Sequence, residues 1–214
     1  MKTFAQPTGR GLYVITDGPR PDLIAVVTQA LAGGARLLQY RDKSTDSTRR
    51  HSEAAALRHL CDTYAIPLIV NDDIALAHAV AADGVHLGKD DDDLAAARAV
   101  LGTDAIIGMS CYDSLPRAKA AASAGASYVA FGAFFPSPTK PLAARASIEL
   151  LRQSAALGVP RVAIGGITPD NAPSLIEAGA DYLAVISAVF GTDDVRHSAQ
   201  RFTDLYLSHS GTSP

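Results

Sequence analysis

The 214-residue chain has few cysteines, no long apolar run and little net charge. Cys61 and Cys111 are far apart, which excludes a disulfide scaffold and a cysteine-ligated zinc site and fits a reducing cytoplasm. No apolar stretch follows Lys2, so no signal peptide is expected, and no segment approaches the ~18 apolar residues of a membrane span. The net charge of −3 argues against nucleic-acid-coating proteins and polybasic membrane binders. We therefore expect a soluble cytoplasmic protein without nucleic-acid or membrane partners.

Several common functional signatures are also missing. The chain has no P-loop, no GxSxG nucleophile motif and no histidine or cysteine cluster with metal-ligand spacing. No early GxGxxG motif marks a dinucleotide-binding fold. The function must therefore be inferred from residues that are dispersed along the chain.

A small-residue joint followed by a short apolar run recurs along the chain. Glycine just after a helix is typical of a left-handed C-terminal cap, and the apolar run after it is typical of a buried strand. Each joint therefore predicts a helix-to-strand connection. The copies are Gly33-Gly34-Ala35, Gly84, Ala124-Gly125-Ala126 and Ala178-Gly179-Ala180.

Eight strands alternating with alanine-rich helical segments predict a (β/α)₈ TIM barrel. A doubly wound open sheet has the same alternation and is the alternative. We expect one catalytic domain over residues 1–207 and a polar tail over 208–214. Two of the predicted helices are Ser47–Tyr64 and Ser114–Ala124. The predicted strands are Gly11–Thr16, Arg36–Arg41, Pro67–Asn71, Gly84–Leu87, Ala105–Met109, Tyr128–Gly132, Arg161–Ile164 and Tyr182–Ile186.

Polar residues follow the second strand, where a barrel of this kind has its active site. Leu37, Gln39 and Arg41 share one face of the strand because side chains alternate, and Lys43 continues the same parity. Two cations and an amide suit a phosphate group. A solvated loop is the alternative for Arg41 and Lys43.

Carboxylates follow the third and fourth strands, in Asn71-Asp72-Asp73 and in the run 90–93. Oxygen ligands from neighbouring strand ends suit Mg²⁺, which binds one or two carboxylates together with water and substrate phosphates. The alternative is helix capping, by Asp73 before Ile74 and by Asp92 or Asp93 before Leu94.

A stiff loop follows the sixth strand. Three prolines fall within 136–141, and the segment also carries Phe134, Phe135, Ser137, Thr139 and Lys140. It is longer than a minimal strand-to-helix turn. We interpret it as a lid that brings a lysine over the mouth, with a plain surface loop as the alternative.

Paired glycines, Gly165-Gly166, follow the seventh strand, and Ser187 follows the eighth, after which a short helix is expected to point its N-terminus at the same place. Glycine lets backbone N–H groups approach an anion closely, and a phosphate site after strands 7 and 8 recurs in this architecture. His86 lies on the fourth strand and is more simply a hydrogen-bonded core residue than a catalytic one.

Taken in order, these segments resemble the thiamine-phosphate synthase family. The matching pieces span nearly the whole chain: 11–17, 39–43, 70–72, 84–88, 107–110, 132–140, 164–167 and 185–187. The resemblance implies a (β/α)₈ barrel and a transferase of thiamine biosynthesis. Such an enzyme joins 4-amino-2-methyl-5-hydroxymethylpyrimidine diphosphate to a thiazole phosphate, in some cases carboxylated, and releases pyrophosphate.

The resemblance also implies roles for individual residues. Ser110, near the reacting carbon, would act with Lys140 and Arg41 in catalysis. The pyrimidine diphosphate would be bound by Gln39, Arg41, Lys43, Asn71, Ser110 and Lys140. One Mg²⁺ would be bound by Asp72 and Asp91. The thiazole phosphate would be bound by Ser137, Pro138, Thr139, Gly166, Ile186 and Ser187.

Two positions depart from the usual family pattern. Lys89 stands where glutamine is usual, and Cys111-Tyr112 follows Ser110 where small or histidine-containing sequence is expected. Three other functions remain as alternatives: a related barrel that isomerises the thiazole phosphate, a sugar-phosphate isomerase or aldolase, and a non-catalytic phosphate-binding protein. The first would not need Gln39, Arg41, Lys43, the carboxylate pair or Lys140. The second would need a Schiff-base lysine within a strand or an acid–base pair at the mouth, and the sequence indicates neither; the third would release no pyrophosphate.

Overall fold

Eight parallel strands close into a barrel in the order in which they occur along the chain. The computed structural model describes residues 6–88, 94–136 and 145–210. Because β1 pairs with β8 as well as with β2, the sheet has no open edge, and the open-sheet alternative is excluded. The strands are β1 Gly11–Ile15, β2 Leu37–Tyr40, β3 Leu68–Asn71, β4 Gly84–Leu87, β5 Ile106–Tyr112, β6 Tyr128–Phe131, β7 Arg161–Ile164 and β8 Tyr182–Val185.

Helices follow the strands and cover the outside of the barrel. The last of them includes 208–210, so helical structure enters the segment expected as a polar tail, and 211–214 lie outside the described residues. The helices are α1 Leu23–Ala32, α2 Ser47–Tyr64, α3 Ile74–Ala79, α4 Leu94–Leu101, α5 Leu115–Ser123, α6 Glu149–Gln153, α7 Ala172–Glu177, α8 Ser187–Phe190 and α9 Val195–Ser210, with a 3₁₀ turn at Ala155–Leu157.

The alternation of side chains along the strands separates two cores. In β2, Leu37 belongs to the cluster inside the barrel, whereas Leu38 and Tyr40 belong to the larger cluster between the strands and the helices. The inner cluster also contains Tyr13 and Tyr128. Leu37 and Gln39 were predicted to share one face of β2, and both lie inside the barrel, since Gln39 donates a hydrogen bond to Tyr13.

Strand β5 extends three residues beyond its predicted end at Met109. Ser110 pairs with Ala130 and Tyr112 pairs with Phe131, so one residue of β5 bulges between two consecutive partners on β6. The extension places Ser110 within the strand at the mouth of the barrel. A bulge of this kind depends on the neighbouring strand, which the local sequence of β5 does not specify.

The small-residue joints are helix-to-strand connections, with one difference from the prediction. Gly34, Gly125 and Gly179 have φ near +95° as predicted (+94°, +94° and +97°), but before β4 the left-handed residue is Ala81. Gly84 has another function: a Cβ there would lie 1.8 Å from the carbonyl oxygen of Ile106. The glycine allows β4 and β5 to approach.

The last helix closes the outer layer against the first. Thr203 on α9 donates a hydrogen bond from its hydroxyl to the carbonyl oxygen of Gly33, at 2.9 Å, just after α1. A Cβ on Gly33 would lie 2.6 Å from the Cβ of Ala199, so the two helices are in close contact there. Among the helices of the described ranges, none combines the length and the apolarity that a bilayer crossing requires.

Candidate active site

A chain of hydrogen bonds crosses the barrel interior just below its mouth. Gln39 Nε2 donates to Tyr13 Oη at 2.7 Å, and the hydroxyl oxygens of Tyr13 and Tyr128 are 2.9 Å apart. Tyr128 Oη lies 3.0 Å from His86 Nδ1, and His86 Nε2 lies 2.9 Å from Ser110 Oγ. The chain thus links five strands and ends on the predicted pyrimidine-contacting serine.

Burial favours the uncharged forms of the two tyrosines and the histidine in this hydrogen-bond chain. Burial raises the pKa of Tyr13, although its hydrogen bonds with Tyr128 and Gln39 oppose the rise, and it raises the pKa of Tyr128 well above its usual value. Burial lowers the pKa of His86 to about 4. With both ring nitrogens hydrogen-bonded, His86 fits the interpretation of a hydrogen-bonded core residue better than that of a catalytic one.

The backbone of Arg41 is held by a buried threonine at the end of β1. The hydroxyl oxygen of Thr16 accepts a hydrogen bond from the Arg41 amide at 2.8 Å and donates one to the Arg41 carbonyl oxygen at 3.0 Å. The Thr16 side chain therefore satisfies both backbone polar groups of Arg41. Sequence analysis did not single out Thr16, because only the register between β1 and β2 brings it to Arg41.

An ion-pair network from α2 supports the same loop from outside. The Asp42 side chain is fully buried, and Arg49 Nη2 lies 2.7 Å from Asp42 Oδ2. Arg49 also donates to Glu53 at 2.9 Å, and Glu53 accepts a bond of 2.7 Å from the Tyr40 hydroxyl. Burial alone would raise the pKa of Asp42, but hydrogen bonds from Ser44 and Arg49 outweigh it and lower that pKa.

A cavity of about 510 Å³ lies between the ends of β2 and β3. It brings together Lys43 and Asn71, which the resemblance assigns to the diphosphate, and Asp72, which it assigns to the metal ion. Arg41 and Gln39 do not line it, and Arg50 of α2, which sequence analysis missed, does. The lining residues are Asp42, Lys43, Ser44, Arg50, Asn71, Asp72, Asp73 and Ile74.

Asp72 has an unusual backbone conformation at this cavity. Its φ is +61°, its amide donates to the carbonyl oxygen of His86 at 2.9 Å, and its Oδ2 accepts a bond of 2.6 Å from Asn71 Nδ2. A carboxylate held beside a lysine in an open polar cavity fits Mg²⁺, which needs few protein ligands when water and phosphate supply the rest. The second predicted ligand, Asp91, lies outside the described residues.

Asp73 has the capping function that was the alternative to metal binding. Its Oδ1 accepts a hydrogen bond from the Leu76 amide at 2.8 Å at the start of α3. Its other oxygen accepts one from Arg50 Nη2 at 2.9 Å. Asp73 therefore anchors Arg50 at the cavity wall. Asp92 and Asp93, the other proposed caps, lie outside the described residues.

The turn after β7 packs closely against the loop after β6. Gly165 and Gly166 have φ of +103° and +64°, and a Cβ on Gly166 would lie 2.4 Å from the carbonyl oxygen of Pro136. Phe135 donates its amide to the carbonyl oxygen of Gly165 at 3.0 Å. Only glycine fits at Gly166, so the paired glycines hold the start of the predicted lid against β7.

The residues after β8 lie at the same end of the barrel. Ile186 is partly buried, and Ser187, the first residue of α8, is exposed. Neither they nor Gly166 line the cavity between β2 and β3. The two predicted binding regions thus share the mouth of the barrel and are separated by β1, which pairs with both β2 and β8.

The predicted lid is described only at its two ends. Ala133 accepts a hydrogen bond from the Ala146 amide at 2.9 Å, so the chain leaves and re-enters the barrel mouth at one place. Lys89 and the four predicted lid residues, Ser137, Pro138, Thr139 and Lys140, lie outside the described residues.

The surroundings of Ser110 are also defined. Arg117 of α5 donates from Nε to the carbonyl oxygen of Ser110 at 2.8 Å and from Nη2 to that of Gly88 at 3.3 Å, and so joins the ends of β4 and β5. Cys111 is buried under the helices, and Tyr112 is exposed with φ of +54°. The unusual Cys111-Tyr112 pair therefore leaves the hydrogen bonds of Ser110 intact.

The fold and this site together define a class: a (β/α)₈-barrel enzyme with a polar cavity at the end of the barrel where enzymes of this fold have their active sites. A family model described as thiamine monophosphate synthase matches residues 12–189. A thiamine-phosphate synthase of Azoarcus sp. is 58% identical over 200 residues, covering 92% of this chain and 97% of that protein. Another, from Thiobacillus denitrificans, is 54% identical over 212 residues, covering 97% and 98%.

A solved structure agrees with these sequence relatives. A thiamine phosphate pyrophosphorylase from Pyrococcus furiosus superposes with a TM-score of 0.82 at 36% identity, covering 92% of this chain and 96% of that one. The chain belongs to the thiamine monophosphate synthase family.

Proposed function

We propose that this protein joins 4-amino-2-methyl-5-hydroxymethylpyrimidine diphosphate to a thiazole phosphate, forming thiamine phosphate and pyrophosphate. The carbon–oxygen bond to the diphosphate breaks, and a carbon–nitrogen bond to the thiazole forms. The observation that carries this proposal is the cavity lined by Lys43, Asn71 and Asp72 in a barrel of this family. A cation, an amide and a carboxylate in one open cavity suit a metal-bound diphosphate.

The diphosphate end of the substrate occupies the side of the mouth near β2 and β3. Lys43 and Asn71 bind it from the cavity wall, Arg41 from the loop that Thr16 holds, and Lys140 from the loop after β6. Gln39 lies deeper and faces the pyrimidine. Negative charge builds on the diphosphate as it departs, and cations fixed before the reaction stabilise that charge most effectively.

Asp72 and Asp91 hold one Mg²⁺ in this proposal. When bound, the ion neutralises charge on the diphosphate and makes it a better leaving group. The side chain of Asn71 donates to Asp72 and keeps one carboxylate oxygen in place.

The thiazole phosphate occupies the side near β7 and β8. Gly166, Ile186 and Ser187 offer backbone and hydroxyl donors for its phosphate group. Ser137, Pro138 and Thr139 approach it from the loop after β6. This placement leaves the ring nitrogen of the thiazole facing the pyrimidine across the mouth.

The chemistry requires charge stabilisation more than proton transfer. Departure of pyrophosphate leaves a cation that the aminopyrimidine ring delocalises, and the thiazole nitrogen attacks its exocyclic carbon. Ser110 contacts the pyrimidine near this carbon, and Lys140 and Arg41 stabilise the leaving group. Water would capture the cation, so the loop after β6 serves to exclude it. His86, with both nitrogens hydrogen-bonded, is not needed as a base.

The test is to incubate the purified protein with both substrates, with and without Mg²⁺, and to measure thiamine phosphate and pyrophosphate. Both thiazole forms, with and without the carboxylate, are supplied. We expect Lys43→Met to lower kcat/KM by more than about tenfold, whereas Lys119→Met, a change of an exposed lysine on α5, leaves it within about twofold. No product with any thiazole, from folded protein, would refute the proposal.

The same assay separates the other candidate functions. A thiazole phosphate isomerase would convert the thiazole without the pyrimidine and would release no pyrophosphate, and a binding protein would convert nothing. We also infer a cytoplasmic location from the two cysteines, which are both buried and form no disulfide.

A further inference from the structure

The hydrogen-bond chain inside the barrel has a direction, and that direction determines what Ser110 can do. Its first member, Gln39, meets Tyr13 through the amide nitrogen, which can only donate. Tyr13 is 1% exposed and Tyr128 is 0% exposed, so both hydroxyl protons need acceptors within the protein.

The protons can be followed from one member to the next. Because Tyr13 accepts from Gln39, its own proton goes to the Tyr128 oxygen, 2.9 Å away. The Tyr128 proton then goes to His86 Nδ1 at 3.0 Å, which must be without a proton. A neutral imidazole carries one proton, which is therefore on Nε2 and is donated to Ser110 Oγ at 2.9 Å.

The opposite direction fits this arrangement less well. If Ser110 donated to His86 Nε2, Nδ1 would carry the proton and donate to Tyr128, and Tyr128 would donate to Tyr13. Tyr13 would then accept from both Tyr128 and Gln39. Among the contacts of the described residues, its own buried proton would have no acceptor.

We propose that Gln39, Tyr13, Tyr128 and His86 act as positioning residues that fix the Nε2–H tautomer of His86, so that Ser110 accepts from His86 and offers its own hydroxyl proton to the substrate. Ser110 is thus a hydrogen-bond donor at the mouth. The Ser110–His86 pair has the spacing of a nucleophile and its base, but His86 has the wrong tautomer to take the serine proton.

The tautomer can be measured without any substrate. In protein labelled with ¹⁵N-histidine at neutral pH, His86 should show a pyrrole-type signal at Nε2 and a pyridine-type signal at Nδ1. The protein has six histidines, so His86→Gln identifies the signals by their loss. Tyr128→Phe removes the proton given to Nδ1 and should convert His86 to a mixture of tautomers. A proton on Nδ1 in the wild-type protein would overturn the proposal.

A kinetic comparison tests the consequence for Ser110, and this part rests on the proposed function. We expect Tyr128→Phe to lower kcat/KM for the pyrimidine diphosphate about tenfold. The matched control is Tyr182→Phe, which removes another tyrosine hydroxyl of the inner cluster. This hydroxyl donates to the Thr8 carbonyl oxygen at 2.8 Å and takes no part in the hydrogen-bond chain from Gln39 to Ser110. The control should change kcat/KM less than twofold.

The experiments can refute the proposed function and the positioning of Ser110 independently of each other. An inactive wild-type protein whose His86 has the Nε2–H tautomer would refute the proposed function and leave the positioning of Ser110 supported. An active protein in which the two tyrosine variants lose equal activity would overturn the positioning role. If Tyr128→Phe does not fold, the wild-type tautomer alone decides the direction of the chain.

Discussion

Removal of the Thr16 hydroxyl gives the sharpest test of how Arg41 is positioned. Thr16→Val keeps the shape of the side chain and removes both hydrogen bonds to the Arg41 backbone, of 2.8 and 3.0 Å. Thr16 is fully buried, whereas Arg41 is partly exposed, so water can replace only part of what is lost.

The expected size follows from these two bonds. Each contributes about 1 kcal/mol net, so we expect the free energy of unfolding to fall by about 2 kcal/mol. For a chain of this length that corresponds to a decrease in Tm of roughly 4–8 °C. An Arg41 that is no longer held should also lower kcat/KM about tenfold, which corresponds to about 1.4 kcal/mol in the transition state.

Thr16→Ser is the control because it keeps the hydroxyl and loses only a methyl group. It should cost about 1 kcal/mol of stability and leave kcat/KM within about threefold. Thermal unfolding and pyrophosphate release measured on both variants separate stability from positioning. Equal kcat/KM values for the two variants would show that the hydroxyl does not position Arg41.

Three further predictions concern charged groups. Lys140→Ala should lower kcat/KM by roughly 10²-fold in the pyrophosphate assay, since it removes a cation from the leaving group, and a loss below about threefold would exclude that role. Asp72→Asn should raise the Mg²⁺ concentration for half-maximal activity by about tenfold, and an unchanged metal titration would place the ion elsewhere. Because the fold lowers the pKa of Asp42 from 3.8, its ion pair with Arg49 stabilises the protein above that value and is lost as the pH falls below it. Thermal unfolding between pH 5 and 3 should therefore show a smaller loss of stability for Asp42→Asn than for the wild type.

The barrel was predictable because short apolar runs, which form the buried strands, alternate along the chain with alanine-rich segments, which form the helices. The observed bounds of β4 and β7 agree with the predicted ones, and α2 agrees at both ends. The extension of β5 was not predictable, because Ser110 to Tyr112 join the sheet through pairing with β6 across a bulge. An apolar run predicts a strand, but its last pairs depend on a neighbour distant in sequence.

The residues of the candidate site were also predictable only in part. The family resemblance assigned Lys43 and Asn71 to the diphosphate and Asp72 to its metal ion, and these three residues line one cavity. Thr16 and Arg50 were not predicted, because their positions depend on strand register and on which face of α2 meets the barrel. Side chains that hold a site in place have no motif of their own, since many residue types can perform that task.

Closure of the barrel has a consequence for synthesis of the protein. Gly11 of β1 pairs with Tyr182 of β8, near opposite ends of the chain. A growing polypeptide on the ribosome can arrange β2 and β3, and with them part of the cavity wall, while β1 still exposes an unpaired edge. That edge is a template for misassembly with other nascent chains until β8 has been made.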